Sequence, residues 1–531
     1  MKPRVPDPAE VAVMGHALHS IAVEMGAVLR RTAFSPNIKE RRDYSSAVFS
    51  ADGDLIAMGD DMPVHLGSMP MSVSAVLAAL RFAPGDVALL NDPYRGGTHL
   101  PDITMVAPVF LPGRARPAFY VANRAHHADV GGMHPGSMGP CSEIVQEGIR
   151  IPPVKLMHAG RMDATVLAIL LANVRTPKER EGDLTAQLGA CRVGAARMLE
   201  LVSRFGLSRL LRAVRAMLEG SERQMRQLLA SLPAGTWQAE DFLDDDGMTS
   251  RPIGIRVTVR NNPGRQSAEV DFTGTDAQVA GSINAVFAIT WSAVFYVLRC
   301  LMPASAITTA GLMRPIKVIA PQGTVVNAVA PAAVAGGNVE TSQRIVDTLL
   351  RALAPALPDR IPAASSGTMN NLTIGGIDPR NGLPYTYYET IAGGLGGSPS
   401  SPGASGHHAH MTNSLNTPVE ALEYAYPFRV MRYSVRRGSG GAGLHHGGDG
   451  LVREIELLGR AQVTLLADRR HTLPWGLAGG GDGAPGRSTT ISSSINGNGS
   501  EEILPSKCTR SLAAENRLRI DSPGGGGWGK A

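Results

Sequence analysis

The sequence predicts a mixed α+β protein of several lobes, and three observations carry that prediction. The chain has 531 residues, more than a single hydrophobic core usually organises. Apolar residues recur at helical spacing most densely over residues 163–232, with short alternating strands on both sides. Gly (61) and Pro (37) together exceed the usual share of roughly 12%, so tight turns are frequent. The expected division is an N-terminal α/β lobe with a metal site (1–160), a helical block (161–235), a second α/β and β-rich lobe (236–480) and a Gly/Ser-rich C-terminal tail (481–531).

Asp7-Pro8 opens the first helix, with Asp as N-cap and Pro at the first helical position. Val11, Met14, Leu18, Ile21, Ala22, Met25 and Leu29 follow at helical spacing as far as Arg31. Residues 44–58 read as two short strands around Ala51-Asp52-Gly53-Asp54. Residues 63–66 read as a loop, 68–81 as a helix closed by Pro84-Gly85, and 86–90 as a strand. Residues 102–110 and 118–122 alternate as strands about Leu111-Pro112-Gly113. Helices are expected at 163–173, from Thr176-Pro177 through Phe205, at 207–218 after Gly206, and at 221–232.

Residues 253–260 and 267–274 form a hairpin around Asn261-Asn262-Pro263-Gly264. A buried helix (283–301), two short strands (314–318 and 324–328) and a helix (338–353) come next. Strands are expected at 372–374, 385–389, 428–435, 451–457 and 461–467, with a short helix at 419–424. Beyond residue 479 Gly, Ser and Asn dominate, and the polar segment 488–500 is expected to be mobile.

Formal charge is +5, spread over scattered arginines without a run of five basic residues. No basic block interleaves with aromatics, so no nucleic-acid partner is expected. The four cysteines are far apart and form no CxxC, as in a cytoplasmic protein with reduced thiols. No signal peptide is expected, and no membrane span, since no eighteen-residue apolar run occurs.

Ligand chemistry is densest over residues 91–132, where His99, Asp102, His126, His127 and Asp129 lie between strands. Imidazole nitrogen and carboxylate oxygen are what Zn, Mn and Fe(II) favour. Taken singly, each pair also fits a loop His bonded to backbone and an Asp capping a turn. Taken together across one short hairpin, they predict a divalent metal site. His126 and His127 are adjacent, and neighbours in extended chain point to opposite sides. One of them can ligate, and the other lines the cavity or orients a carboxylate.

Asp43, in Lys39-Glu40-Arg41-Arg42-Asp43, is either part of a solvated turn or a further carboxylate at the same cavity. His65 reads equally as a site residue or a buried, satisfied histidine. His408 and His410 share a face and suit a substrate cavity or a second metal. The glycine-rich stretch 438–450 lacks GxxxxGK followed by Ser or Thr, so no nucleotide loop is expected. GxSxG and HExxH are absent, and Asp244-Asp245-Asp246-Gly247 reads as a turn without EF-hand spacing.

Several stretches bear a family likeness. They are ERRDYS (40–45), PVHLGS (63–68), residues 91–102, RAHHADVGG (124–132), GGNVETSQR (336–344), YETIAGG (388–394), Thr412-Asn413, TPVE (417–420) and PWG (474–476). In this order they resemble the B-type subunit of the hydantoinase/5-oxoprolinase family, whose relatives include the larger subunit of acetone carboxylase. The resemblance implies an ATP-dependent hydrolase of cyclic amides that works as a hetero-oligomer. A partner A-type subunit, with an actin-like ATPase fold, would bind ATP and phosphorylate the ring amide oxygen. The B-type subunit would then complete ring opening at its metal, using a metal-activated water. His99, Asp102 and His126 are the expected ligands, the choice of His126 over His127 being open. Asp43, Asp129 and His127 are the expected further ligand or proton-transfer groups. The alternatives are a subunit of an ATP-dependent acetone or acetophenone carboxylase, and a scaffold that only docks an ATPase. Pro402-Gly403 and His407-His408 depart from the family pattern and leave the substrate open.

Overall fold

The computed structural model describes residues 7–59, 62–492 and 500–531. Helices and strands are mixed, and the strands form four separate sheets. The first sheet is antiparallel and has seven strands. In spatial order they are Leu55–Met58, Tyr44–Ser50, Phe119–His126, Asp102–Val109, Val87–Leu90, Val154–His158 and Arg161–Met162. Asp102–Val109 and Phe119–His126 lie at its centre and are buried along their whole length.

Side-chain alternation explains that burial. Ala47, Phe49, Val106 and Ala122 pack against Met69, Val73 and Val76 of the helix His65–Ala79. Val48, Met105, Ala107 and Val121 join the core on the other face, with Met14 and Leu18 of the first helix and Leu188 of Pro177–Phe205. The first helix, Pro8–Thr32, starts as expected: the Asp7 side chain accepts from the Ala9 N–H, 3.0 Å away. By length and composition it is apolar enough to cross a membrane, but its stripe from Met14 to Leu29 is buried in this core.

Several elements differ from expectation. The second long helix begins at His65, inside the expected loop, and carries Pro70 in its interior. Leu207–Ser231 is one continuous helix, where two were expected. Gly235–Leu243 is a full strand, paired along its length with Ile253–Asn262 in a second sheet of four. Residues 324–328 form no strand; Thr324 makes only isolated bridges to Ala277 and Asn327. The expected helix at 338 begins as a π-helical turn, Gly337–Thr341, before Ser342–Leu353.

The C-terminal segment shows the largest difference. Arg487–Ile491, Glu501–Ile503, Lys507–Leu512 and Arg517–Asp521 are strands of the two C-terminal sheets. Of the segment expected to be mobile, residues 493–499 lie outside the described residues. The glycine-rich stretches are interior: residues 393–403, 438–450, 474–483 and 523–529 are hydrogen-bonded side by side. The N–H of Gly526 donates to the Ala364 carbonyl (2.8 Å), that of Gly397 to Gly526 (2.8 Å), and that of Gly441 to Gly525 (2.8 Å). A Cβ on Gly526 would stand 2.1 Å from the Trp475 carbonyl oxygen, and one on Gly447 would stand 1.9 Å from that of Gly525. Here glycine is needed because backbone packs on backbone.

A buried charge cluster ties these parts together. Arg344 meets Asp468 at 2.9 Å, Arg469 meets Asp347 at 2.6 Å and Asp241 at 3.0 Å, and Lys507 meets Asp468 at 3.0 Å. Burial alone would raise the Asp241 carboxyl, yet Arg469 and Arg344 hold it down at about 2.

This packing can be tested at a glycine and at an arginine. Gly526→Ala should destabilise the protein by about 3 kcal/mol or more by overpacking. Gly481→Ala, whose Cβ would meet nothing nearer than 3.5 Å, should be nearly neutral; denaturant midpoints of the two variants provide the comparison. Arg469→Met should cost about 3 kcal/mol, because it takes from two buried carboxylates, Asp241 and Asp347, their shortest cation contact. The Asp241 share of stability is present above an unfolded-chain pKa of about 3.9 and is lost as pH falls toward 2. Unfolding measured from pH 5 down to pH 2 should therefore show a shallower acid loss in Arg469→Met than in the parent.

Candidate metal centre

The strand register assembles the site. Asp102 lies directly across from His126 at the end of the central pair. Tyr44 pairs with Ala125, so Asp43 sits beside His126 and its carbonyl accepts the His126 N–H at 3.0 Å. His99 enters from the turn after Pro93–Arg95. That turn needs Gly96, whose φ is +90° and whose Cβ would stand 2.5 Å from the Met71 carbonyl oxygen. Asn91 pins the loop: its amide nitrogen donates to the carbonyls of Leu100 (2.7 Å) and Ile149 (3.0 Å), and its oxygen accepts from the Ile151 N–H (2.6 Å).

His99, Asp102 and His126 thereby form a buried group whose ligand atoms all lie within 4.8 Å of one another. His99 Nε2 is 3.1 Å from Asp102 Oδ1, and His126 Nδ1 is 3.4 Å from the same oxygen. The other oxygen, Oδ2, accepts from Thr98 Oγ1 at 2.6 Å and faces His65 Nε2 at 3.3 Å. His99 Nδ1 lies 3.2 Å from the Ala335 carbonyl, a group that only accepts, so Nδ1 bears the proton and Nε2 presents its lone pair. Asn338 Nδ2 donates to that Nε2 at 3.0 Å, and Asn338 Oδ1 has no partner. Asp102 Oδ1 and His126 Nε2 are also buried without hydrogen-bond partners.

A buried carboxylate oxygen without a hydrogen bond, with imidazole nitrogens at 3.1 and 3.4 Å, suits a cation. The donor set, two imidazoles and one carboxylate, suits Zn, Mn or Fe(II). The titration directions agree with it. Burial opposes charge on Asp102, but His99, His65 and the His126 contact hold its carboxyl well below the usual range. Burial pushes His65 and His126 down, toward the neutral imidazole that binds metal.

Around this group is a small cavity lined by Asp43, His65, Asp102, His126, Asn338 and Tyr388. The Tyr388 ring stacks on His126 with centroids 4.4 Å apart, and the Arg41 guanidinium lies 4.8 Å from the Tyr388 centroid. Ser45, His65 and Asp102 stand in the order of a nucleophilic triad, with Ser45 Oγ 2.9 Å from His65 Nδ1. Ser45 is fully buried and does not line the cavity, so the series orients Asp102 and supplies no nucleophile.

The other expected site residues lie elsewhere. His127 points to the opposite side of the chain, where its Nε2 meets Gln187 Oε1 at 2.9 Å. Burial, with Arg180 adding to it, holds His127 at about 4. Asp129 is taken by Arg175, which donates from its backbone N–H and from Nη1, both at 2.8 Å. His127 and Asp129 line a separate, mostly apolar cavity with Ile103 and Leu184. His410 sits 3.3 Å from Asp347 in the buried charge cluster. No second metal-type group occurs among the described residues.

Sequence reasoning left His65 open and passed over Thr98, Asn338 and Tyr388. Thr98 alone had a local signal, four residues before Asp102. Asn338 and Tyr388 reach the site from more than two hundred positions away, and no spacing rule could have found them.

Among the described residues, then, a mixed fold holds one buried His/Asp/His group that could take a metal ion, with a small adjoining cavity. The chain belongs to the family described as Hydantoinase B/oxoprolinase, whose pattern matches residues 7–531. It is 37% identical over 554 residues to 5-oxoprolinase 1 of Arabidopsis thaliana, covering 99% of this chain and 42% of that protein. This chain therefore spans less than half the length of that relative. It is 32% identical over 545 residues to the B component of a putative D-/L-hydantoinase from a Pseudomonas species, covering 98% and 90%. The ATP-dependent caprolactamase of Pseudomonas jessenii superposes with a TM-score of 0.92 at 30% identity, over 99% of this chain and 92% of that one. Nucleotide-free acetone carboxylase shares the fold, with a TM-score of 0.91 at 17% identity over 99% and 76%.

The geometry predicts different outcomes for the two adjacent histidines. His126→Asn should lower zinc(II) or manganese(II) affinity by at least about 100-fold, and His127→Asn should leave it unchanged. Thr98→Val should weaken binding by about 10–100-fold by loosening Asp102. Isothermal titration of metal-stripped protein reads all three.

Proposed function

We propose that this chain is the metal-bearing, B-type subunit of an ATP-dependent cyclic-amide hydrolase. The observation that carries the reading is the buried His99/Asp102/His126 group with one uncommitted carboxylate oxygen, in a chain similar to hydantoinase and 5-oxoprolinase subunits. The caprolactamase likeness supports a lactam or similar ring amide as substrate. A partner A-type subunit would bind ATP and phosphorylate the amide oxygen, making it a leaving group. The GxxxxGK stretch at Gly524–Lys530 is followed by Ala531 and not by the Ser or Thr of a phosphate loop, in keeping with that division. We place the complex in the cytoplasm, consistent with four unpaired cysteines.

His99, Asp102 and His126 would hold the metal, which lowers the pKa of bound water toward neutrality when present. His65 and Thr98 fix the second oxygen of Asp102, so one oxygen alone faces the site. Tyr388 fixes the plane of His126 by stacking on it. Asp43 lines the cavity beside His65, Asp102 and His126. It is the group best placed to accept a proton from the attacking water. The near-complete burial of these residues keeps bulk water from the activated ring carbon. His127 and Asp129, held by Gln187 and Arg175, keep the strand end and the following loop in place.

A carboxylase subunit is the second reading, favoured only by the shared fold with acetone carboxylase. Co-expression with an A-type partner separates the two. ATP turnover stimulated by lactams, hydantoins or 5-oxoproline supports the hydrolase. Turnover that requires bicarbonate and a ketone would replace it with the carboxylase. Within the hydrolase, Asp43→Asn should lower kcat by about 10²–10⁴-fold with little change in bound metal. Retention of full ring-opening activity by His99→Ala would remove the catalytic role of the site.

A further inference from the structure

We propose that Glu147 is a positioning residue for His99, acting through the backbone strap of residues 331–337; this deepens, and rests on, the metal reading above. The strap belongs to no sheet and passes behind His99. Its carbonyls are well held: Pro331 accepts the Ile144 N–H at 2.9 Å, Ala332 accepts the Tyr94 hydroxyl, and Ala333 accepts Asn284 Nδ2 at 3.0 Å. Its two successive N–H groups, of Val334 and Ala335, have one acceptor between them. Both donate to Glu147 Oε1, each at 2.8 Å. The Ala335 carbonyl, across the Cα in the next peptide plane, receives His99 Nδ1, and the N–H of that plane, Gly336, donates to the Ser282 carbonyl at 2.7 Å. The strap then enters the π-helical turn Gly337–Thr341, which carries Asn338 to His99 Nε2.

Glu147 is unusual for a surface-type residue. It is 1% exposed, no cation pairs with it among the described residues, and its Oε2 has no partner. Burial pushes its carboxyl up to about 8, against the pull of the two amides. A group buried at that cost is explained by what its one bonded oxygen does. That oxygen fixes the strap as far as the Ala335 Cα, and with Ser282 holding the Gly336 N–H beyond it the Ala335 carbonyl is set in place to take the proton on His99 Nδ1. His99 Nε2 is left as the acceptor of Asn338 Nδ2, 3.1 Å from Asp102 Oδ1. Outer groups that fix a histidine's tautomer and ring orientation govern how well it binds metal.

The role needs an acceptor oxygen and not a charge, so Glu147→Gln and Glu147→Ala separate it from a general structural role. Metal-stripped full-length protein is titrated with zinc(II) by calorimetry. Glu147→Gln should bind like the parent, and Glu147→Ala about 10–100-fold more weakly. In parallel, ¹⁵N NMR of histidine-labelled, metal-free protein, assigned with His99→Ala, reports the His99 tautomer. The parent and Glu147→Gln should show the Nδ1–H form, and Glu147→Ala should lose it. An Nε2–H form in the parent would overturn the proposal even if Glu147→Ala failed to fold. So would Glu147→Ala binding zinc like the parent, or Glu147→Gln binding as weakly as Glu147→Ala. A parent that binds no zinc, yet keeps an Nδ1–H tautomer that Glu147→Ala loses, would remove the metal reading and leave the strap's hold on His99 standing.

Discussion

Asp102 Oδ1 has two imidazoles at hydrogen-bonding range and no donor committed to it. An ionised carboxylate oxygen left so in a buried site is costly unless something positive joins it. The architecture around it keeps it in that state. Thr98 and His65 occupy the other oxygen, the Ala335 carbonyl takes the His99 proton, and Tyr388 stacks on His126. Each contact comes from a different part of the chain: the turn before the central hairpin, the start of a helix, a strap without secondary structure, and a strand of the third sheet. The long-range folding of the protein therefore converges on presenting one oxygen and its two nitrogen neighbours to a cation.

The register of the first sheet makes this convergence possible. A one-residue slip between Asp102–Val109 and Phe119–His126 would turn His126 away and bring His127 inward. That slip is opposed by burial on both faces, because every side chain of the slipped strand would change sides together. The apolar residues that fix the register, such as Met105, Val106, Val121 and Ala122, thus also fix which histidine enters the site. Core and chemistry are set by the same alternation.

This is also why part of the site was legible in the sequence and part was not. His99, Asp102 and His126 lie within one hairpin, where spacing and strand period carry the information. The adjacency of His126 and His127 indicated that only one could enter, and alternation alone could not say which. Asp129 looked like a ligand because its captor, Arg175, lies 46 positions on and leaves no mark near it. The glycine stretches misled for the same physical reason. Read locally, Gly524–Gly527 is a loose run; in the fold its amides bond to Ala364, Gly448 and Gly481, and its Cα hydrogens face other backbones. Glycine there marks close approach by distant segments, which no window along the chain contains. The first helix was legible because its burial follows a local period, and the hairpins at 44–58 and 253–271 because turn residues separate two short strands.

The glycine lattice and the buried charge cluster bear on the site even though neither touches the ligands. Tyr388 lies on the strand Pro384–Glu389, in the sheet that also contains Ala461–Leu466 and Lys507–Leu512. Lys507 is held by Asp468, and Arg344, on the same helix as Asp347, is held by Asp468 too. That helix continues directly from the π-helical turn bearing Asn338. The cluster thus couples the third sheet to the segment facing His99, so the distance between Tyr388 and Asn338 is set by charge pairs deep in the core. A cavity only large enough for a few atoms tolerates little drift between its walls. Rigid, desolvated pairing is costly to assemble from an unfolded chain, but it gives the geometric constancy that a cation site requires.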